Sequence, residues 1–336
     1  MDDPELRPDL EEQDAAAPER SRSLVALLST PVGILLGGVA TFYVARRLVH
    51  DWPDAKSALQ DAELWWIAGG ALLAAAGMTS MGAGWHAVLA MLGVRAPMGR
   101  VVAWYYVGEL GKYLPGGVWP VLGRGELARR GGVPRGRSYA SVGLSLALLY
   151  LAAMFVATGF LPFAVSGGGF NPWMLFLLAL PVGVVALHHE VLGWGLGVLS
   201  RVTGKDLAFE IPLWGDSLRL VARYVPTWAF VGSATWAIAR ALDPGASFSK
   251  VMFATVLSWV AGFLAVPVPA GAGVREAVLA ASSGLDGGVA AATAIIARVL
   301  FVLVDVLGAA VCAPAAGRRR GGASVGPIRT EERAST

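Results

Sequence analysis

Two apolar stretches of this chain carry Pro and Gly where a membrane helix would need unbroken backbone. Residues 101–123 contain GELGKYLPGGVWPVLG, and residues 251–284 contain VPVPAGAGVREAVLAASSG. Pro removes an N–H, and Gly loosens the helix around it. In a bilayer such backbone survives only when it is buried in protein or lines a cavity. Both stretches are therefore expected to be re-entrant or broken helices inside a larger bundle. The rest of the chain supplies that bundle. Apolar runs long enough to span occur at about 24–45, 64–92, 138–163, 171–187, 224–242 and 289–314. Hydrophobic residues make up 55% of the chain and charged residues 15%, against about 25% charged in a typical soluble domain. So few charges cannot cover so much apolar surface in water. The expected fold is an all-α polytopic membrane protein of about six spanning helices plus two broken ones.

The flanks add little chemistry. Residues 1–22 form an acidic, Pro/Ala-rich tail in which Asp2, Asp3, Glu5, Asp9, Glu11, Glu12, Asp14 and Glu19 face Arg7 alone up to residue 19. Such a tail is expected to be disordered. The run at 24–45 is too long for a signal-peptide core and ends in Arg46-Arg47, which reads as a retained span. Residues 317–336 form a second polar tail, leaving 23–316 as the membrane domain. The lone Cys312 cannot form an intramolecular disulfide, and a net charge of +3 is too small to argue for nucleic acid.

Arginine sets the orientation. The stretch 124–137, expected to be a loop that opens at Arg124 where the first broken segment ends, reads RGELARRGGVPRGR, with five Arg and one Glu. Arg201, Lys205, Arg219 and Arg223 lie in 188–223, and Arg318-Arg319-Arg320 in the last tail. The runs SGGGFN (166–171) and DPGAS (243–247) carry almost no charge. The positive-inside rule then puts both termini in the cytoplasm. Arg46-Arg47 dissents. An eight-span reading, with both broken stretches crossing fully, forces either Arg95 and Arg100 or the five-Arg stretch outside, so it ranks second.

The two broken stretches also resemble each other. Arg100-Val101 matches Lys250-Val251 at an offset of 150, and Pro115-Gly116-Gly117 matches Pro269-Ala270-Gly271 at 154. A span precedes and follows each, in opposite senses. The expected repeat is inverted, with halves at about 64–163 and 224–314. In transporters such repeats put the substrate site near the midplane, where broken helices meet.

Ionisable groups at that depth are the candidates for function. Glu109 and Lys112, three apart, share a helix face; they serve either the path or simply charge neutralisation. Arg275 and Glu276 follow PAGAG. A half-helix starting near Gly273 would aim free N–H groups at the cavity, and Arg275 beside them would suit a phosphate or carboxylate. Glu276 would either hold the Arg275 fork or pin the loop. Arg298 and Asp305 lie seven apart on the last span, either pairing within the bundle or lining the path. Arg124 is either the counterpart of Arg275 or a topology charge. His86, beside Trp85, reads as a bundle residue. His188-His189 with Glu190 make a poor metal site, because adjacent histidines point apart. No P-loop, nucleophile elbow, GxGxxG or metal cluster occurs in the sequence, so neither cofactor nor catalysis is expected.

The stretch Gly108-Glu109-Leu110-Gly111-Lys112-Tyr113-Leu114-Pro115-Gly116, with Arg124 and Gly132-Val133 after it, resembles one motif of a known family. So does Pro269-Ala270-Gly271-Ala272-Gly273-Val274-Arg275-Glu276, with Gly284 and Arg298. The family is the lysylphosphatidylglycerol synthase transmembrane-region (flippase-like, UPF0104) family, and the resemblance covers about 24–314. It implies an integral cytoplasmic-membrane protein that translocates an anionic lipid or a lipid-linked glycan between leaflets. Arg275 and Arg124 would bind phosphate, and Lys112, Glu109, Tyr113, Glu276, Arg298 and Asp305 would tune the path. The alternatives are a non-transporting scaffold that seats a glycosyltransferase partner, or a small-solute carrier. The soluble aminoacyl-transferase half of the synthases is not in this sequence, so the chain is not expected to be an enzyme. One departure stands out. Many members carry Glu early in the span after the basic stretch, where this chain has Ser141-Val142-Gly143-Leu144-Ser145-Leu146.

Overall fold

A computed structural model describes residues 60–114, 118–164, 214–265, 268–317 and 324–325, together with Lys56. The expected span at 24–45, the run at 171–187, His188-His189-Glu190, the N-terminal tail, Pro115-Gly116-Gly117, and all of the second tail but Gly317 and Ser324–Val325 lie outside the described residues.

Two long helices form the centre. Helix α1 covers Leu64–Met91, and its Gly70, Gly77 and Gly84 recur every seven residues along one face. A Cβ on Gly70 would come 3.1 Å from the Ala234 carbonyl, and one on Gly77 2.9 Å from Val231. On Gly84 it would run into the Tyr224 ring. The facing residue numbers fall as the glycine numbers rise, so the partner helix runs antiparallel. That partner is Trp214–Leu242. Small residues let two backbones approach this closely where lipid gives no hydrophobic drive. A hydrogen bond between the Ser80 and Thr227 hydroxyls, 2.7 Å long, crosses the same seam.

After α1 the chain makes a short strand β1 (Val94–Arg95), helix α2 (Met98–Glu109) and a 3-10 turn (Leu110–Tyr113). Helices α3 (Trp119–Arg130) and α4 (Arg135–Ala164) complete the first half. The second half repeats the order. Trp214–Leu242 is α5, followed by α6 (Phe248–Leu264), a 3-10 turn (Pro269–Gly271), α7 (Val274–Ser282) and α8 (Gly287–Ala316). β2 (Ser324–Val325) then pairs antiparallel with β1. The packing maps onto itself. α2 lies on α8 as α6 lies on α4, α2 on α3 as α6 on α7, and α3 on α4 as α7 on α8. The two 3-10 turns touch each other. Because α1 and α5 are equivalent and antiparallel, the operation relating the halves turns one upside down. The repeat is inverted.

Among the described residues, α1, α4 and α8 are long and apolar enough to cross a membrane. α5 is equally long, but Asp216, Arg219, Arg223 and Arg240 sit toward its ends. One difference from expectation concerns Arg124. The sequence suggests that it ends the broken segment and opens a loop, yet it lies inside α3. Pro120 is tolerated in the first turn of that helix, where its missing N–H has no partner to lose. Glu126 meets Arg129 and Arg130 one turn on, at 2.7 and 2.8 Å. These i,i+3 and i,i+4 pairs favour helix through most of the basic stretch.

Candidate functional site

Each broken segment carries an aromatic residue, then a glycine three positions later, then Pro seven beyond that. In the first half these are Tyr105, Gly108 and Pro115; in the second, Trp259, Gly262 and Pro269, each 154 residues further on. The glycines admit the returning chain. A Cβ on Gly108 would lie 2.7 Å from the Arg124 backbone N, and one on Gly271 would lie 2.6 Å from the Gly262 Cα. The returning chain thereby lays an arginine over each glycine and its aromatic neighbour. Arg124 Cζ stands 5.4 Å from the Tyr105 ring centroid, and Arg275 Cζ stands 3.6 Å from that of Trp259. A guanidinium over an aromatic face is attracted by the ring quadrupole. Tyr105, Trp259 and Gly262 were not singled out from the sequence, and Gly108 was named there only as the first residue of a motif. The constant 154-residue offset across all three positions was the signal available.

The turn before Arg275 is tight. Ala270, Gly271 and Gly273 have φ of 48, 64 and 80°, the left-handed region that glycine enters at little cost. The one alanine there is held from outside: Arg298 Nη1 donates to its carbonyl at 2.9 Å. Glu276 does not clamp Arg275. Its carboxylate accepts the Gly273 N–H at 2.6 Å and lies 3.6 Å from Arg298 Nε. Glu276 therefore caps α7 and ties it to α8.

The first broken segment is tied to the same helix. Lys112 Nζ lies 2.7 Å from Asp305 Oδ2, and the Tyr113 hydroxyl donates to the same oxygen at 2.6 Å. Lys112 also lies 3.6 Å from Glu109, which in turn lies 3.8 Å from Arg124 Nε. Arg298 and Asp305 do not pair with each other; each holds a different broken segment. His86 Nε2 contacts the Ala96 carbonyl at 3.0 Å, as befits a residue of the bundle.

Glu109, Lys112, Arg124 and Arg275 converge on one cavity of about 140 Å³, walled by Tyr105, Tyr150, Trp259 and Phe263. Lys112 is paired from behind by Asp305, which leaves Arg124 and Arg275 in the wall with Glu109 as the one carboxylate. Among the described residues no carboxylate comes within ion-pair reach of Arg275, and its buried Nε has no hydrogen-bond partner. Arg124 is 2% exposed and donates weakly, at 3.3 Å, to the Pro120 carbonyl. Buried cations short of counter-charge make a place for an anion. Glu276, Arg298 and Asp305 stand behind this cavity rather than in its wall. Among the described residues no cluster of His, Cys, Asp and Glu could hold a metal ion.

Comparison with known proteins places these features in context. The family described as lysylphosphatidylglycerol synthase TM region matches residues 30–312, most of the chain and all of both repeats up to Cys312. No curated protein matches the chain.

Proposed function

The chain belongs to the lysylphosphatidylglycerol synthase TM-region family, and from that premise we propose that it moves an anionic lipid, or a lipid-linked glycan carrying phosphate, between the leaflets of the membrane it spans. The observation that carries this reading is Arg275. It is charged, stacked on Trp259, without a carboxylate partner among the described residues, and directed at a cavity shared with Arg124 and Lys112. A phosphate supplies the missing negative charge and can take two parallel N–H donors from a guanidinium. The inverted repeat supports movement over mere binding, since a site between two oppositely oriented halves can be offered to either side in turn.

Charge supports one orientation. The Met91–Gly93 turn, the α3–α4 turn and the start of α5 lie at one end of the bundle, together with the β1–β2 ladder. Arg95, Arg129, Arg130, Arg135, Arg219 and Arg223 all cluster there, against Glu126 and Asp216. The other end carries Asp61, Glu63, Asp243 and Asp286 against Arg240 and Lys250. By the positive-inside rule the basic end is cytoplasmic in the cell membrane.

The test is reconstitution of wild type and Arg275→Ala into liposomes carrying a fluorescent phosphatidylglycerol, with a membrane-impermeant quencher added outside. Wild type should increase the quenched fraction beyond protein-free liposomes, and Arg275→Ala should abolish most of that increase. Equal quenching by both proteins would remove Arg275 from the path. No effect of wild type on any anionic or polyprenyl-phosphate lipid would leave the scaffold reading in place of transport.

A further inference from the structure

Arg275 and Trp259 line a second, smaller chamber as well as the central cavity. It measures about 40 Å³ and is bounded by Thr235 of α5, Thr255 and Ser258 of α6, and Glu276 and Arg298. Arg275 therefore stands as a partition with polar space on both sides. The chamber has room for about one water molecule, whose share of the liquid is about 30 Å³, and offers more than the two polar partners a water needs. Three of its walls are hydroxyls. The Thr235 and Thr255 hydroxyls donate to the Val231 and Val251 carbonyls, and Ser258 donates to the Thr255 carbonyl. Each keeps acceptor capacity for a donor in the chamber.

The inverted repeat supplies the comparison. α2 and α6 begin at Met98 and Phe248, an offset of 150 that, carried back into the helices before them, puts Trp85 where Thr235 stands. Counting back from the paired glycines Gly108 and Gly262, Trp104 stands where Ser258 stands, and Val101 where Thr255 stands. Trp85, Trp104 and Val101 are all fully buried. The two indoles lie 6.4 Å apart, and Trp85 Nε1 donates to the Ser141 hydroxyl at 3.0 Å. Where one half keeps a hydroxyl-lined chamber, the other is filled with two of its largest side chains.

We propose that the chamber is a water site on an access path: the central cavity communicates with the acidic end of the bundle past Arg275 and through Thr235, Thr255 and Ser258, while Trp85 and Trp104 plug the equivalent route to the basic end. The path serves the headgroup of the lipid proposed above and to that extent rests on that reading. Its existence can be tested with no lipid substrate, so the two can fail separately.

The experiment is sided cysteine labelling of the full chain in sealed vesicles, in a Cys312→Ser background, with a membrane-impermeant methanethiosulfonate. Ser247→Cys, exposed in the turn before α6, marks the acidic side, and Arg223→Cys marks the basic side. Ser258→Cys should react from the side that labels Ser247→Cys, at least tenfold faster than from the other. Ser141→Cys, beneath Trp85, should react from neither side. Thr255→Cys repeats the measurement should Ser258→Cys fail to fold. Reaction of the chamber cysteine from the basic side, from neither side, or no faster than Ser141→Cys would overturn the proposal.

Discussion

Lys112 and Asp305 meet at 2.7 Å across the seam between the two halves, the lysine on the tip of the first broken segment and the aspartate on α8 with a side chain 1% exposed. Removing one partner leaves a buried charge without its counter-ion, which costs about 3–5 kcal/mol, whereas replacing both with apolar groups can be neutral. Lys112→Met should therefore destabilise the protein strongly in a detergent-melting assay. Lys112→Met with Asp305→Leu should recover most of that loss. A double variant no more stable than the single one would show that the pair does not act as a unit.

Arg298 makes the corresponding tie to the second broken segment, but through a backbone carbonyl. The first half has no equivalent. Carrying the 152-residue offset between Arg135 and Gly287, the starts of α4 and α8, back to α4 puts Leu146 and Ala153 where Arg298 and Asp305 stand. α8 alone thus braces both tips. Arg298→Leu should loosen the 268–273 turn, speeding amide hydrogen exchange at Gly271 and Gly273 several-fold while the middle of α8 stays protected. Unchanged exchange at those two amides would count against the brace.

At the basic end, Arg129 and Arg130 hold the Glu126 carboxyl well below the ordinary carboxylate range, at about 2. A carboxyl lowered in the folded state contributes stability above its ordinary range and loses it as pH falls toward the folded value. No titration of this group falls between pH 5 and 8. The melting-temperature difference between wild type and Glu126→Gln should therefore be small and flat across that window, because the group is solvent-screened. It should narrow only in strong acid. A difference that changes between pH 5 and 8 would assign the titration to another group.

Much of this architecture was legible in the sequence, because a bilayer leaves few choices. Broken apolar segments, their flanking spans and the paired offsets near 150 already implied an inverted bundle. Side-chain partnerships were less legible. Glu276 sits beside Arg275 in sequence, yet on a helix neighbouring residues point about 100° apart, and Glu276 turns back to its own helix start and to Arg298. Arg124 looked like a loop charge because the basic stretch around it looked like a loop. Its burial depends on Gly108, sixteen residues earlier, and only the fold brings that glycine beneath it. The chamber beside Arg275 was invisible for the same reason. Thr235, Thr255 and Ser258 are ordinary helix residues until the halves are superimposed.

The two glycines beneath the arginines should respond differently to the same substitution. A Cβ on Gly108 would meet the Arg124 side chain at 2.6 Å and its backbone N at 2.7 Å. Backbone cannot step aside as a side chain can, so Gly108→Ala should push α3 away from α2. Overpacking of this kind costs about 1–3 kcal/mol. The three atoms nearest a Cβ on Gly262 all belong to the Arg275 side chain, at 2.5 Å for Cγ and 3.0 Å for Cδ and Nε. That chain can swing, at the expense of its place over Trp259. Gly262→Ala should then melt close to wild type and yet lose most lipid movement in the quenching assay, as Arg275→Ala does. Gly108→Ala should show the lower melting temperature of the two. The reverse order would mean that the approach of α3 to α2 is softer than its backbone contacts imply.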